Sequence, residues 1–376
     1  MKQILVLIIC LVTVSSSKQS TSIIETELDK IFTEEFPSTE EPGGSILVKK
    51  GDDIIFLKSY GVADLGTKEK ITENTIFNTG SISKTFVSNG ILILKEKGLL
   101  SLEDSLSMYF DDFEHPAIVN KVKIKHMLSH TSGLPDLRDV RGNYDFYLTA
   151  KDKENFEPLK KADNLNFQPG ERFDYSNPSY NGLALIIEKL ANQPWQDFIK
   201  ENIFEPSGMK DSIITNGSYP ESGVAHAYYQ DKDGKYEEYD YGETPTFAAA
   251  GNGGIWCSVL DLAKYKNAIQ KNIFLSQGLT KESRTVYTPE NWTDTTKPVV
   301  GYSWFTGEQD LFRSKGNFND LKFVYHTGSQ GGFRAFYVEI PEKDILFVGL
   351  FNKAPKDMKN ITLRAVKVFE ENNWLE

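Results

Sequence analysis

Ile24, Leu28, Ile31 and Phe32 recur at helical spacing between Ser22 and Phe36 and predict an amphipathic helix. The period then changes. Ser45 to Lys49 and Ile54 to Ser59 are short runs rich in apolar and β-branched residues, and Gly51-Asp52-Asp53 between them predicts an antiparallel hairpin. A helical period returns in Lys84 to Lys97, with Gly98 as its cap, and again in Ile124 to His130, Asn181 to Ala191 and Leu260 to Ile269. From Gly301 onward strands are predicted at Phe323 to His326, Gly332 to Ile340 and Ile345 to Phe351. A last helix from Lys356 to Asn372 puts Met358, Ile361, Ala365, Val368 and Phe369 on one face. This order predicts an α+β fold: an antiparallel sheet flanked by N- and C-terminal helices and completed by both ends of the chain, with a second, mostly helical lobe. The sheet lobe takes in about 22–80 and 295–376 and the helical lobe about 81–294. The charged stretch from Leu137 to Asp163 reads as a surface excursion, and no internal repeat or low-complexity linker interrupts the chain.

Met-Lys-Gln followed by the apolar run Ile4 to Val14 and by Ser15, Ser16 and Ser17 has the layout of a secretory signal peptide covering residues 1–17, so a secreted or periplasmic protein over 18–376 is expected. The run is short of the ~20 apolar residues that span a bilayer, and no later segment is a better candidate. Cys10 falls in the leader, which leaves Cys257 alone and excludes an intramolecular disulfide. The core must therefore hold the fold, and a chain of this length buries roughly three quarters of its unfolded surface. Cys257, next to Trp256, reads as a small buried residue. Loss of Lys2 with the leader makes the formal net charge of −11 one unit more negative, which argues against nucleic acid and anionic membrane as partners.

Ser81-Ile82-Ser83-Lys84 opens a predicted helix, with a hydroxyl at the N-terminus and an amine three residues on, over the same face. A serine needs a base to attack a carbonyl, and a lysine serves if a dry site and a neighbouring positive charge keep it neutral. The same spacing occurs at Ser15/Lys18 and Ser207/Lys210, so context has to discriminate. Tyr175-Ser176-Asn177 supplies a phenol able to relay a proton and an amide able to hold a substrate carbonyl or the lysine. Its counterpart Tyr265-Lys266-Asn267 lies inside a predicted helix, whereas Tyr175 follows the turn Phe167-Gln168-Pro169-Gly170. His326-Thr327-Gly328 ends a predicted strand, and Gly328, Gly331 and Gly332 would let a substrate backbone lie along that edge.

Taken together, GSISKTF, YSN and HTG resemble the motif trio of the class C β-lactamase and DD-peptidase superfamily of serine hydrolases. Leu128 to Pro135, Phe167 to Asn177, Ala250 to Ile255 and the Gly-Gly-Phe after HTG are similar to recurrent stretches of that family, so the likeness covers nearly the whole mature chain. The resemblance implies that Ser81 is the nucleophile, that Lys84 and Tyr175 share the acid/base work, and that Asn177, His326, Thr327, Gly328 and Ser329 bind substrate. The backbone N–H groups of Ser81 and Ser329 would form the oxyanion hole. It implies no metal and no cofactor, and a small-molecule or peptide substrate: a D-peptide, an ester or a β-lactam. Typical β-lactamases carry Lys-Thr-Gly where this chain has His326-Thr327-Gly328. Histidine occurs there in DD-carboxypeptidases, D-amino-acid peptidases and esterases, which favours a peptidase or esterase. An imidazole with an unperturbed pKa of ~6.5 at this place would make binding of a carboxylate-bearing substrate pH-dependent.

His126 and His130 share a helix face at a spacing that could suit a metal, but no HExxH glutamate accompanies them. No G-x-S-x-G elbow is present, which argues against an α/β-hydrolase triad. Sequons at Asn216, Asn291 and Asn360 carry meaning only in a eukaryotic secretory pathway. The rival reading is a non-catalytic binding or scaffold protein on the same fold, against which intact Ser81, Lys84 and Tyr175 weigh. The sequence sets no oligomeric state.

Overall fold

The structure, a computed structural model, describes residues 22–138, 140, 146, 149–214, 222–238, 249–308 and 321–375; the expected leader lies outside them. The first helix, α1, spans 22–35 and buries Ile24, Leu28, Ile31 and Phe32, the face its periodicity marks. The hairpin follows as β1 (Gly44–Lys50) and β2 (Asp53–Tyr60). The helical block contributes α2 (Ser83–Glu96), α3 (Ile124–Leu128), α4 (Asp152–Phe156), α5 (Asn177–Ala191) and α6 (Val259–Gln270). The chain then returns through β3 (Phe305–Glu308), β4 (Lys322–Gln330), β5 (Phe333–Ile340) and β6 (Ile345–Phe351) and closes on α7 (Met358–Glu371).

These six strands form one antiparallel sheet in the order β2-β1-β6-β5-β4-β3. Both ends of the chain therefore build it, with β1 paired to β6 so that Gly44 faces Phe351 and Lys50 faces Ile345. Alternation along β6 divides its side chains between two cores. Ile345, Phe347 and Phe351 pack with α1 and α7, against Phe32, Ala365 and Phe369. Leu346, Val348 and Leu350 belong to the core shared with the helical block, with Phe86, Leu183 and Leu262. Both faces are covered, and the α+β architecture is the one the pattern of elements predicts.

Three departures from the expected elements bear on function. β4 runs on to Gln330, so His326 lies inside a strand instead of ending one. β5 holds that extension, since its pairing with β4 continues to Gln330 and Phe333. α5 begins four residues earlier than its apolar period shows, because Ser176 caps it by accepting from Ser179 N at 3.3 Å and Pro178 suits a first turn. Finally, the stretch Leu137 to Asp163 is no surface excursion where it is described. Asp152, Asn155, Phe156 and Leu159 are buried within it, and Phe156 joins the helical core.

Candidate active site

Ser81 lies in the 3-10 turn Gly80–Ile82 that leads directly into α2. One helical turn on, Lys84 is fully buried, with its Nζ 3.0 Å from Ser81 Oγ and donating to the carbonyl of Asn252 at 2.6 Å. Burial holds the Lys84 amine well below its ordinary value of 10.5, and the positive charge of Arg138 pushes the same way. Arg138 is itself buried, held by Asp136 in a two-pronged ion pair at 2.8 and 2.7 Å and by Asn155 Oδ1 at 2.7 Å. Lys84, its basicity lowered and one N–H spent on Asn252, thus faces the serine hydroxyl directly.

Tyr175 sits in the segment just before α5, half-buried, with Lys84 Nζ 5.2 Å from its ring centroid. The ring stacks on His130 at 4.3 Å and lies 6.5 Å from the His326 ring. His130 also accepts from Ser176 N at 3.0 Å through Nδ1, so it fixes both the ring and the backbone beside it. Asn177, the first residue of α5, is half-exposed two positions from Tyr175.

The strand edge reaches the serine through two close approaches. A Cβ on Gly80, which adopts φ +53°, would lie 2.6 Å from Ser329 N, and a Cβ on Gly328 would overlap the Thr79 carbonyl. The Ser81 turn and β4 are therefore in backbone contact, with Ser329 beside the residue that precedes Ser81. β3 pairs with β4 only as far as Tyr325, so among the described residues no strand covers the edge from His326 to Gln330. Thr327, Gly328 and Ser329 lie along this stretch of β4.

His326 is fully buried, with Nδ1 2.7 Å from the Thr327 carbonyl, to which it donates. Burial above all, with Lys84 acting in the same direction, brings its pKa down to about 3. The expectation that it titrates near neutrality is thereby corrected: desolvation keeps the ring neutral across the physiological range. His126 and His130 are each committed to a backbone amide, His126 accepting from Lys123 N at 3.1 Å.

The decoy motifs separate cleanly from this cleft. Lys210 is exposed and so lacks the desolvation acting on Lys84. Tyr265 is buried in α6, stacked on Phe86 at 4.1 Å and bonded to Asn89, as a core residue. Conversely, sequence reasoning did not single out Asn252, Asp152, Arg138 or His130 as parts of the site. Only the glycine-rich Ala250 to Ile255 stretch and the Ser129-His130-Thr131 neighbourhood hinted at two of them.

Known proteins resemble this arrangement along most of its length. Penicillin-binding protein 4* of Bacillus subtilis (strain 168) is 29% identical over 321 residues, which are 82% of this chain and 68% of that protein. Protein flp of Staphylococcus aureus (strain MW2) is 26% identical over 87% of this chain, and the match spans only 62% of flp. Among solved structures, the octameric penicillin-binding protein homologue from Pyrococcus abyssi superposes with a TM-score of 0.77 at 27% identity, over 92% of this chain and 77% of that one. The D-amino acid amidase from Ochrobactrum anthropi SV3 shares the fold with a TM-score of 0.74 at 19% identity, over 94% of this chain and 99% of the amidase. The family profile described as Beta-lactamase matches residues 28–368, from the first helix through the last and across every residue of the cleft, and the chain accordingly belongs to the beta-lactamase family.

Proposed function

We propose that the protein is a serine hydrolase that forms an acyl-enzyme on Ser81 and acts on D-peptides, esters or β-lactams, with peptide and ester substrates favoured over β-lactams. The observation that carries this reading is the buried Lys84 amine, its basicity lowered by desolvation, 3.0 Å from the Ser81 hydroxyl. In the reaction Lys84 takes the Ser81 proton as Oγ attacks the substrate carbonyl. The oxyanion is held by the Ser81 and Ser329 amides. Tyr175, beside Lys84, passes the proton to the leaving group, which departs as the carbonyl re-forms. Water attacks the resulting ester by the same route and frees Ser81. Asn177 and the open edge Thr327 to Ser329 orient the substrate, and neutral His326 supplies no cation for a carboxylate. The relation to penicillin-binding proteins supports the acyl-enzyme class. The signal-peptide layout of residues 1–17 supports secretion of the hydrolase domain over 18–376.

Incubation with a fluorophosphonate probe, read by intact mass, tests the proposal. The natural protein is expected to gain one adduct and Ser81→Ala none, while Lys84→Ala labels ~100-fold more slowly. Labelling of a folded Ser81→Ala protein at the natural rate refutes Ser81 as the nucleophile, and no labelling of the natural protein refutes the reading and leaves a non-catalytic binding protein.

A further inference from the structure

Asp152 carries a buried carboxyl group that the acyl-enzyme chemistry does not use, and among the described residues it has no cationic partner. It accepts three neutral donors instead. Gly251 N and Asn181 Nδ2 both reach Oδ1 at 2.8 Å, and Trp195 Nε1 reaches Oδ2 at 2.8 Å. Two of these bonds converge on one residue. Gly251 precedes Asn252 in the chain, and Asn181 Nδ2 also donates to Asn252 Oδ1 at 3.1 Å. Asn252 is thus fixed through its backbone on one side and its side chain on the other, and its carbonyl is the group that receives Lys84.

We infer that Asp152 is a positioning residue for acylation, holding Asn252 so that its carbonyl keeps the Lys84 amine turned toward Ser81. Desolvating a carboxylate without a cation is costly, and the carboxylate is the side chain whose two oxygens satisfy all three donors at once. An asparagine offers one acceptor and turns a second donor toward Trp195 or toward Gly251. Proton abstraction depends steeply on such placement, since a displacement on the order of 1 Å costs about 100-fold. The inference rests on the acyl-enzyme reading of Ser81.

Both ideas are separated by the rate constants of labelling with a fluorophosphonate probe. Absence of labelling in the natural protein would refute the acyl-enzyme reading itself. Given labelling, Asp152→Ala is expected to lower kinact by about 10- to 100-fold at unchanged KI. A merely structural role would reduce the fraction of molecules that react, seen as the end point by intact mass, without slowing those that do. Because the alanine variant leaves three donors unsatisfied and can fail to fold, Asp152→Asn is measured alone and with Trp195→Phe, which removes the donor opposing the new amide. The asparagine variant is expected to lose rate and the double variant to recover most of it, through the retained acceptor for Gly251 and Asn181. The inference is overturned if kinact of the folded variants stays within about twofold of the natural value, or if adding Trp195→Phe recovers none of the rate lost in Asp152→Asn.

Discussion

Lys84 and His326 are both stripped of water, and each loses basicity with a different consequence. For Lys84 the loss favours the proposed role as base, because it enlarges the neutral fraction of the amine, and a neutral amine beside a hydroxyl can accept its proton. For His326 the loss removes a charge, since a ring with a pKa of about 3 stays neutral across the physiological range. The rate of fluorophosphonate labelling should therefore climb with pH as Lys84 deprotonates, with no second inflection from His326 between pH 5 and 8. His326→Gln is expected to change the height of that profile and leave its shape alone; a change of shape in this range would show that the ring titrates there. The Ser81-to-Lys84 spacing was legible in the sequence because both partners act through their side chains within one helical turn. Asn252 was not, because it serves Lys84 through a main-chain carbonyl, which every residue type possesses equally. Arg138 and Asp152 were hidden for a related reason: their stretch is rich in charge, and only tertiary packing shows which of those charges are buried.

Elements with a clear apolar pattern were read within a few residues: α1, the β1–β2 hairpin, β6 and α7. The strand carrying the site was read too short, because Thr327, Gly328, Ser329 and Gln330 have no strand-like hydrophobic pattern and owe their extended form to pairing with β5. That strand also packs against the turn that carries the serine. Gly328 lets β4 touch the Thr79 carbonyl, and a methyl group there must part the strand from the Ser81 turn. Gly328→Ala is accordingly expected to slow labelling by about 100-fold or more by displacing one amide of the oxyanion pair, while far-UV circular dichroism stays that of the natural protein. A labelling rate within a few-fold of the natural one would mean that the turn does not depend on this contact for its geometry.

At the scale of the whole molecule, burial of neutral imidazoles couples stability to pH. His126 is brought to about 4 and His326 to about 3, chiefly by desolvation, and the ordinary value of His130 is lowered in the same direction. Each binds a proton near pH 6.5 once the chain unfolds and refuses it while folded, so the unfolded state holds more protons as the pH falls below that value. The stability these groups contribute is complete above pH 6.5 and is lost on acidification through the window down to 4. Asp152 works in the opposite sense: raised to about 7 by burial, it binds a proton in the folded state while an unfolded aspartate stays ionised down to 3.8, and so it offsets one histidine. Three losses against one gain leave a net fall in stability from pH 6.5 to 4.5, ahead of any acid loss from surface carboxylates such as Glu103, which is held at about 2. Denaturant unfolding at half-unit steps of pH should show this slope. His126→Gln and His326→Gln should each flatten it by up to about 1.4 kcal/mol per pH unit, the value of one proton. Asp152→Asn should steepen it, because the offset disappears with the carboxyl. A slope unchanged by either glutamine would mean that these rings take up protons in the folded protein.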